Sequence, residues 1–350
     1  MKYKILRGDL QKDREDFIEF WRVNFPNWPK SKYKWFYEEN MYGPAAYWIA
    51  RDADDNDRFV GTTVLFPKRI KIDGNEEMIA IAGDFGVEKK HRGQGSAAEV
   101  TLESFKFIDE AGLAFIYATP NVVSEKVATR QGFRVVGRSV RMVRVLRSRD
   151  YVKKALKIGP LAAGVSRLVD FFMRLRSKES AFKSADKYEF EVLDDFDDRF
   201  DELWKTASQN FPMLGERTRE FLHWRFALCP FKDFRTFVVT SRKSGALEGY
   251  IVYRLEDGNL IISDLLVSNT GEAIDALLTE FLLYLRSLDI DTVTFFYLGN
   301  KEIIKAFSRF GFSTRADNRS VIVYIKDDSP YFSRAMDENN WHFLEADNDT

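Results

Sequence analysis

The chain has one cysteine, Cys229, in 350 residues, and only three histidines, His91, His223 and His342. A lone thiol excludes an internal disulfide and fits a reducing compartment. The histidines are widely scattered, so with a single cysteine they offer no metal-ligand spacing and no metal site is expected. No apolar run reaches the ~18–20 residues of a membrane span. The opening residues Met1-Lys2-Tyr3-Lys4-Ile5 lack the apolar region of a secretory leader, so a cytoplasmic location is expected. Excess charge is missing too: the formal net charge is −1 and the pI about 6.4, which gives no global attraction for nucleic acid or an anionic membrane and leaves only local patches. Also missing are a P-loop, the three spaced glycines of a dinucleotide fold and a Ser-His-Asp pattern. What is present is globular, with 45% hydrophobic and 31% charged residues, and its 31 phenylalanines predict an aromatic core. The length makes two domains the natural expectation.

One stretch carries chemistry. Val87-Glu88-Lys89-Lys90-His91-Arg92-Gly93-Gln94-Gly95-Ser96-Ala97-Ala98 follows the apolar segment 78–87 and opens an amphipathic one. The spacing predicts strand, glycine-rich turn and helix N-terminus, with Ala98, Thr101, Leu102, Phe105 and Ile108 marking a helix over 96–110. Such a turn aims backbone N–H groups and the positive end of a helix dipole at one spot, and glycine removes the Cβ atoms that would hold a phosphate off. Arg92, Gly95 and Ala97 give Arg-x-x-Gly-x-Ala, which resembles the diphosphate-binding signature of the GNAT N-acyltransferases.

The halves repeat one order of landmarks. Trp21 and Asn24-Phe25-Pro26 recur as Trp204 and Asn210-Phe211-Pro212, and Trp35 as Trp224. Gly61 recurs as Gly249, Asp73-Gly74-Asn75 as Asp257-Gly258-Asn259, Asp84 as Asp264, Asn121 as Asn300 and Gly132-Phe133 as Gly311-Phe312. We read two copies of one fold. In each, a helix (13–23 or 196–208) precedes a hairpin; in the first copy a strand over 113–118, a helix over 124–131 and a strand region over 134–146 follow. This order is similar to the GNAT fold, which implies an α/β (α+β) chain of two tandem GNAT-like domains, each a mixed central sheet flanked by helices. The expected division is 1–148, a linker 149–186 and 187–350 with the tail. The linker runs from Tyr151, Lys153, Lys154 and Lys157 into a segment with Leu161, Val165, Leu168, Phe172 and Leu175 at helical spacing. It reads either as a basic amphipathic helix for peripheral membrane contact through 151–176, at the inner membrane face, or as a connector packed between the domains.

After Val267 the second copy reads Ser268-Asn269-Thr270-Gly271-Glu272-Ala273, without a basic residue and with an acid where phosphate would lie, so only the first copy is expected to bind a coenzyme. The resemblance implies acetyl-CoA as the coenzyme, with Phe85, Gly86 and Val87 contacting its pantetheine arm. Arg92, Gly93, Gln94, Gly95, Ser96 and Ala97 would hold its diphosphate, helped by Lys89 and Lys90, and Asn121 would contact it or cap a helix. Asp84, the only acid on the central strand, is the candidate general base; its recurrence as Asp264 leaves a structural role open, and Glu88 is the alternative base. The family's acid is a tyrosine seven residues after the asparagine, and here that place holds Ala128, leaving Tyr117, water or a reaction that needs no acid. The implied function is acetyl transfer to a primary amine, with an amino sugar in surface-polysaccharide assembly as the expected acceptor and Trp224, Tyr250, Tyr253 and Trp341 shaping its cleft. The alternatives are a FemABX-like aminoacyl transferase and a non-catalytic CoA-binding module.

Overall fold

The computed structural model describes residues 2–149, 152, 159–175, 177–180, 186–256, 258–288 and 290–349. Tyr151, Lys153, Lys154 and Lys157 of the expected linker, and Asp257 of the second hairpin turn, lie outside the described residues.

Each half builds the same sequence of elements. In the first, strands Tyr3–Arg7, Ala46–Asp52, Arg58–Ile72 and Asn75–Val87 pair antiparallel in that order, and Ile116–Ala118 adds in parallel. In the second, Tyr188–Leu193, Arg235–Ser241, Leu247–Glu256 and Asn259–Val267 repeat the antiparallel run, and Thr292–Gly299 adds in parallel. Helices Arg14–Asn24 and Arg199–Ala207 lie early in the copies. Helices Ser96–Phe105 and Glu272–Ser287 bridge the parallel strands, and Val122–Arg130 and Lys301–Arg309 follow them. The helix expected over 96–110 is interrupted at Lys106 and resumes as Phe107–Glu110.

Beyond the parallel strand the halves exchange chain. The strand expected over 134–146 is two strands, Arg134–Arg138 and Val140–Val145. The first stays home; the second pairs with Thr292–Gly299 in the other sheet. In return Ser320–Tyr324 leaves the second half and inserts between Ile116–Ala118 and Arg134–Arg138. The split falls at Ser139, whose N–H donates to the Arg319 carbonyl at 2.9 Å, so both chains cross at one point. A cut at residue 148 would therefore leave each sheet holding a strand that belongs to the other segment.

The core is aromatic. Phe17, Tyr33, Tyr37, Tyr47 and Phe66 are buried in one cluster that runs across both halves to Trp224, Tyr250 and Trp341. Trp35 and Trp224 sit in matching wide helical turns, Tyr33–Glu38 and His223–Ala227. Their rings lie 5.5 Å apart, and the Trp35 indole N–H donates to the Trp224 carbonyl at 2.9 Å. Equivalent positions that touch in this way mark a local two-fold between the copies.

The tail closes the sheet. Trp341–Phe343 pairs antiparallel with Leu298 and Gly299 and parallel with Met213 and Leu214, and Met213–Gly215 in turn pairs with Ile70–Ile72. One continuous sheet thus spans both copies. His342, on this inserted strand, is buried; its Nε2 lies 2.9 Å from the Leu265 carbonyl and its Nδ1 3.1 Å from the Tyr297 hydroxyl. A carbonyl only accepts, so Nε2 carries the proton and Nδ1 accepts from the phenol. Burial pushes the His342 pKa down to about 4. The unfolded chain therefore takes up this proton first, near its ordinary value, and folding stability falls as pH drops from about 6.5 towards 4.5. The His342 share of that loss is expected to be on the order of 3 kcal/mol. Urea unfolding of His342→Gln across this window should show a flatter pH dependence; a slope equal to the parent's would refute the assignment.

Candidate functional site

Strand Asn75–Val87 pairs with Ile116–Ala118 at only two positions, Ala80 with Ile116 and Ile81 with Tyr117, and the strands then part. On its other edge the register jumps from Thr62–Gly86 to Val64–Gly83, so Thr63 faces both Asp84 and Phe85. Asp84 occupies the left-handed region, with φ of 41°. This is a β-bulge, which bends a strand and re-aims its side chains. The parting of the strands opens a cavity of about 310 Å³. Ala82 to Phe85 form one wall, Ala118 to Asn121 the other, and Trp21, Phe25, Thr101, Ser124, Ala128, Phe133 and Asp349 are among the side chains between them.

Thr101 belongs to helix Ser96–Phe105, so the cavity and the glycine turn share one helix. Gly95 precedes this helix with φ of 98°, a conformation that favours glycine, and a Cβ on Gly93 would point into open space. Among the described residues, the backbone N–H groups of Gly93 to Ala97 meet no acceptor. Free N–H groups at a helix N-terminus form an anion site. The Arg92 Nε donates to the Val87 carbonyl at 3.0 Å and ties the turn to the strand end. The Gln94 side chain is spent on the Lys90 carbonyl and on Lys2 and Tyr3, and the buried Ser96 hydroxyl has no partner among the described residues.

Asp84 is saturated. It accepts from the Trp28 indole at 3.0 Å, the Lys32 ammonium at 2.9 Å and the Tyr37 hydroxyl. Lys32 is buried, and its ammonium also lies 3.3 Å from Asp349. Burial alone would lower the Lys32 pKa, but the two carboxylates overcome it and hold the amine charged. Burial, with Asp84 beside it, pushes the Tyr37 phenol well up. A Cβ on Gly83 would sit 2.2 Å from the Asp349 carboxylate, so glycine is what lets the tail lie across this strand.

The second copy repeats the charges but not the space. Asp264 accepts from the Arg217 Nε at 2.9 and 3.0 Å and from the Tyr250 hydroxyl at 2.8 Å, and Arg217 donates on to Asp347 at 2.7 Å. Where strands Asn259–Val267 and Thr292–Gly299 part, the tail strand with His342 fills the gap. Its helix N-terminus is capped: the Asn269 side chain accepts from the N–H groups of Gly271 at 3.1 Å and Ala273 at 3.3 Å.

Several sequence expectations need correction or refinement. Glu88 does not line the cavity; it pairs with Arg58 at 2.8 Å. Phe85 lines the cavity, whereas Gly86 faces the Phe25 ring, and Val87 is buried beyond the cavity. Asn121 both lines the cavity and caps helix Val122–Arg130, accepting from the N–H groups of Val123 and Ser124. Tyr117 turns away, donating to the Asp347 carbonyl. Trp224, Tyr250, Tyr253 and Trp341 are buried in the core and shape no cleft; the aromatics at the cavity are Trp21, Phe25, Phe85 and Phe133. Asp349 was missed because an isolated acid in a tail carries no local pattern.

The acetyltransferase (GNAT) domain family matches residues 7–136. No curated protein matches the chain. Among solved structures, a probable N-acyltransferase from Enterococcus faecalis is similar in fold, with a TM-score of 0.64 at 10% identity over 92% of this chain and 72% of its own. A GCN5-related N-acetyltransferase from Anabaena variabilis gives 0.64 at 14% identity over the same shares, 92% and 72%. The N-myristoyltransferase of Saccharomyces cerevisiae, solved with myristoyl-CoA, gives 0.57 at 12% identity over 94% of this chain and 80% of its own.

The ion cluster at the cavity floor makes a stability prediction. Lys32→Met leaves Asp84 and Asp349 without their shared cation and should destabilise the protein by about 3–5 kcal/mol near neutral pH. Adding Asp84→Asn and Asp349→Asn should recover most of that loss. Denaturant unfolding of the single and triple variants reads both, and a single variant within ~1 kcal/mol of the parent would contradict a buried, charged cluster.

Proposed function

Proceeding from an acyltransferase that carries a GNAT acetyltransferase domain over residues 7–136, we propose that its first copy holds acyl-CoA and passes the acyl group, acetyl in this reading, to a primary amine. The observation behind this is the meeting, in that copy, of a gap between parted strands and a turn of free N–H groups on the same helix. When bound, the coenzyme supplies the acyl group as an activated thioester. The chain's residues supply the rest.

The N–H groups of Gly93 to Ala97 and the helix dipole would hold the diphosphate, with Arg92, Lys89 and Lys90 adding positive charge. The free edge of residues 82–85 would pair with the extended pantetheine arm as a strand pairs with its neighbour, and place the carbonyl near Asp84 and Asp349. Asp84 already accepts three hydrogen bonds, so we give it a positioning role: it anchors Lys32, which in turn orients Asp349. Asp349 would take the proton from the attacking amine and return it to the leaving sulfur, which accounts for a cavity with Ala128 where the family has a tyrosine. Glu88 receives no catalytic role.

In this reading the acceptor is an amino sugar of surface-polysaccharide assembly, met by Trp21 and Phe25 of the cavity lining. The protein is cytoplasmic and peripheral to the inner membrane face. We keep 1–148, 149–186 and 187–350 as its working segments.

Two measurements test the proposal. Gly95→Glu should abolish CoA binding in calorimetry while Gly271→Glu leaves it within a factor of ~2; equal losses would remove the turn from the site. Asp349→Asn should lower kcat, followed by thiol release with any amine that supports turnover, by roughly 10²–10⁴-fold with little change in KM for acyl-CoA. Near-parental turnover would remove Asp349 from catalysis.

A further inference from the structure

Helix Gly159–Leu175 faces the wrong way for a connector. Its polar side meets the protein: Asp170 accepts from the Ser148 N–H at 2.7 Å, and the Ser166 carbonyl accepts from the Ser148 hydroxyl. Ser166 is buried, whereas Leu168 is 58% exposed, Phe171 56%, Phe172 53% and Leu175 62%. Val165 and Val169 lie on the same outward stripe and are exposed as well. At 3.6 residues per turn these six side chains form one continuous apolar face, and Arg167 and Arg174 flank it. Soluble proteins rarely present such a face to water.

We propose that this face seats in the surface of an anionic lipid bilayer. The charge of this stretch of sequence selects the occupant. Between residues 151 and 178 the sequence has seven lysines and arginines against one aspartate, in a chain whose net charge is −1. Of the seven, Lys178 pairs with Asp275 at 2.5 Å, and Arg174 is engaged within the protein as well. A second copy of the chain docking on this face would bring two basic segments together, whereas phosphate headgroups neutralise them. The aromatic pair Phe171 and Phe172, with ring centroids 5.8 Å apart, suits the boundary between headgroups and acyl chains. Among the described residues no helix is long and apolar enough to cross a membrane, so the helix lies in the interface plane. This deepens the peripheral attachment named above and does not depend on acyl transfer.

The test is sedimentation of the purified full-length protein with vesicles. Binding is expected to phosphatidylcholine vesicles that contain one-third phosphatidylglycerol. It should be ~10-fold weaker to phosphatidylcholine alone and should fall with added salt. The double variant Phe171→Ser, Phe172→Ser should lose binding by ~10-fold or more. Its melting temperature and CoA affinity should stay at parental values, so failure here is separable from failure of the acyl-CoA site. Equal binding to neutral and anionic vesicles, or no binding to either, overturns the proposal. So does a parental dimer in light scattering that the double variant abolishes, since the face is then a contact between copies.

Discussion

The arrangement depends on buried cations that the tail neutralises. Arg217 is fully buried between Asp264 and Asp347, and Lys68 reaches Asp347 at 2.5 Å. Asp347 is buried, and Arg217 and Lys68 nonetheless hold its carboxyl well below the usual carboxylate range. Asp349, two residues on, meets Lys32. Buried ion pairs add little net stability over apolar packing, yet removing one partner is costly, so they specify an arrangement more than they strengthen it. Here they fix where the tail runs: across the first copy's central strand and into the second copy's gap.

That path explains why two copies of one fold differ in what they offer. Both have a central strand with an aspartate held by a buried cation, and both have a parallel strand that parts from it. In the second copy, backbone and His342 of the same polypeptide occupy the gap, and Asn269 satisfies the helix N-terminus. In the first copy the tail contributes the Asp349 carboxylate, and among the described residues the gap and the N–H groups remain open. The tail thus does for one copy what a bound arm would do for the other.

The sequence made the local features legible. Glycine at Gly93 and Gly95 marks a turn because few other residues adopt its backbone, and the paired tryptophans mark equivalent core positions. Strand exchange was not legible, because nothing in Val-Arg-Met-Val-Arg-Val over Val140–Val145 distinguishes one receiving sheet from the other. The aromatics Tyr250 and Trp341 were assigned to a cleft because composition does not tell a lining side chain from a packed one. Asp84 was visible as the only acid between residues 78 and 87; its three donors come from residues 28, 32 and 37, which only the folded chain brings together.

The exchange at Ser139 and Arg319 also constrains how the molecule is made. As the chain leaves the ribosome, the first sheet has a place beside Ile116–Ala118 that no described residue of its own half fills. It waits for Ser320–Tyr324, roughly two hundred residues downstream, so the N-terminal half emerges with an edge open to wrong partners. The pairing has a large sequence separation, which slows its closure. Neither half is then an independent unit that recombination could graft elsewhere, because each takes with it a strand the other requires.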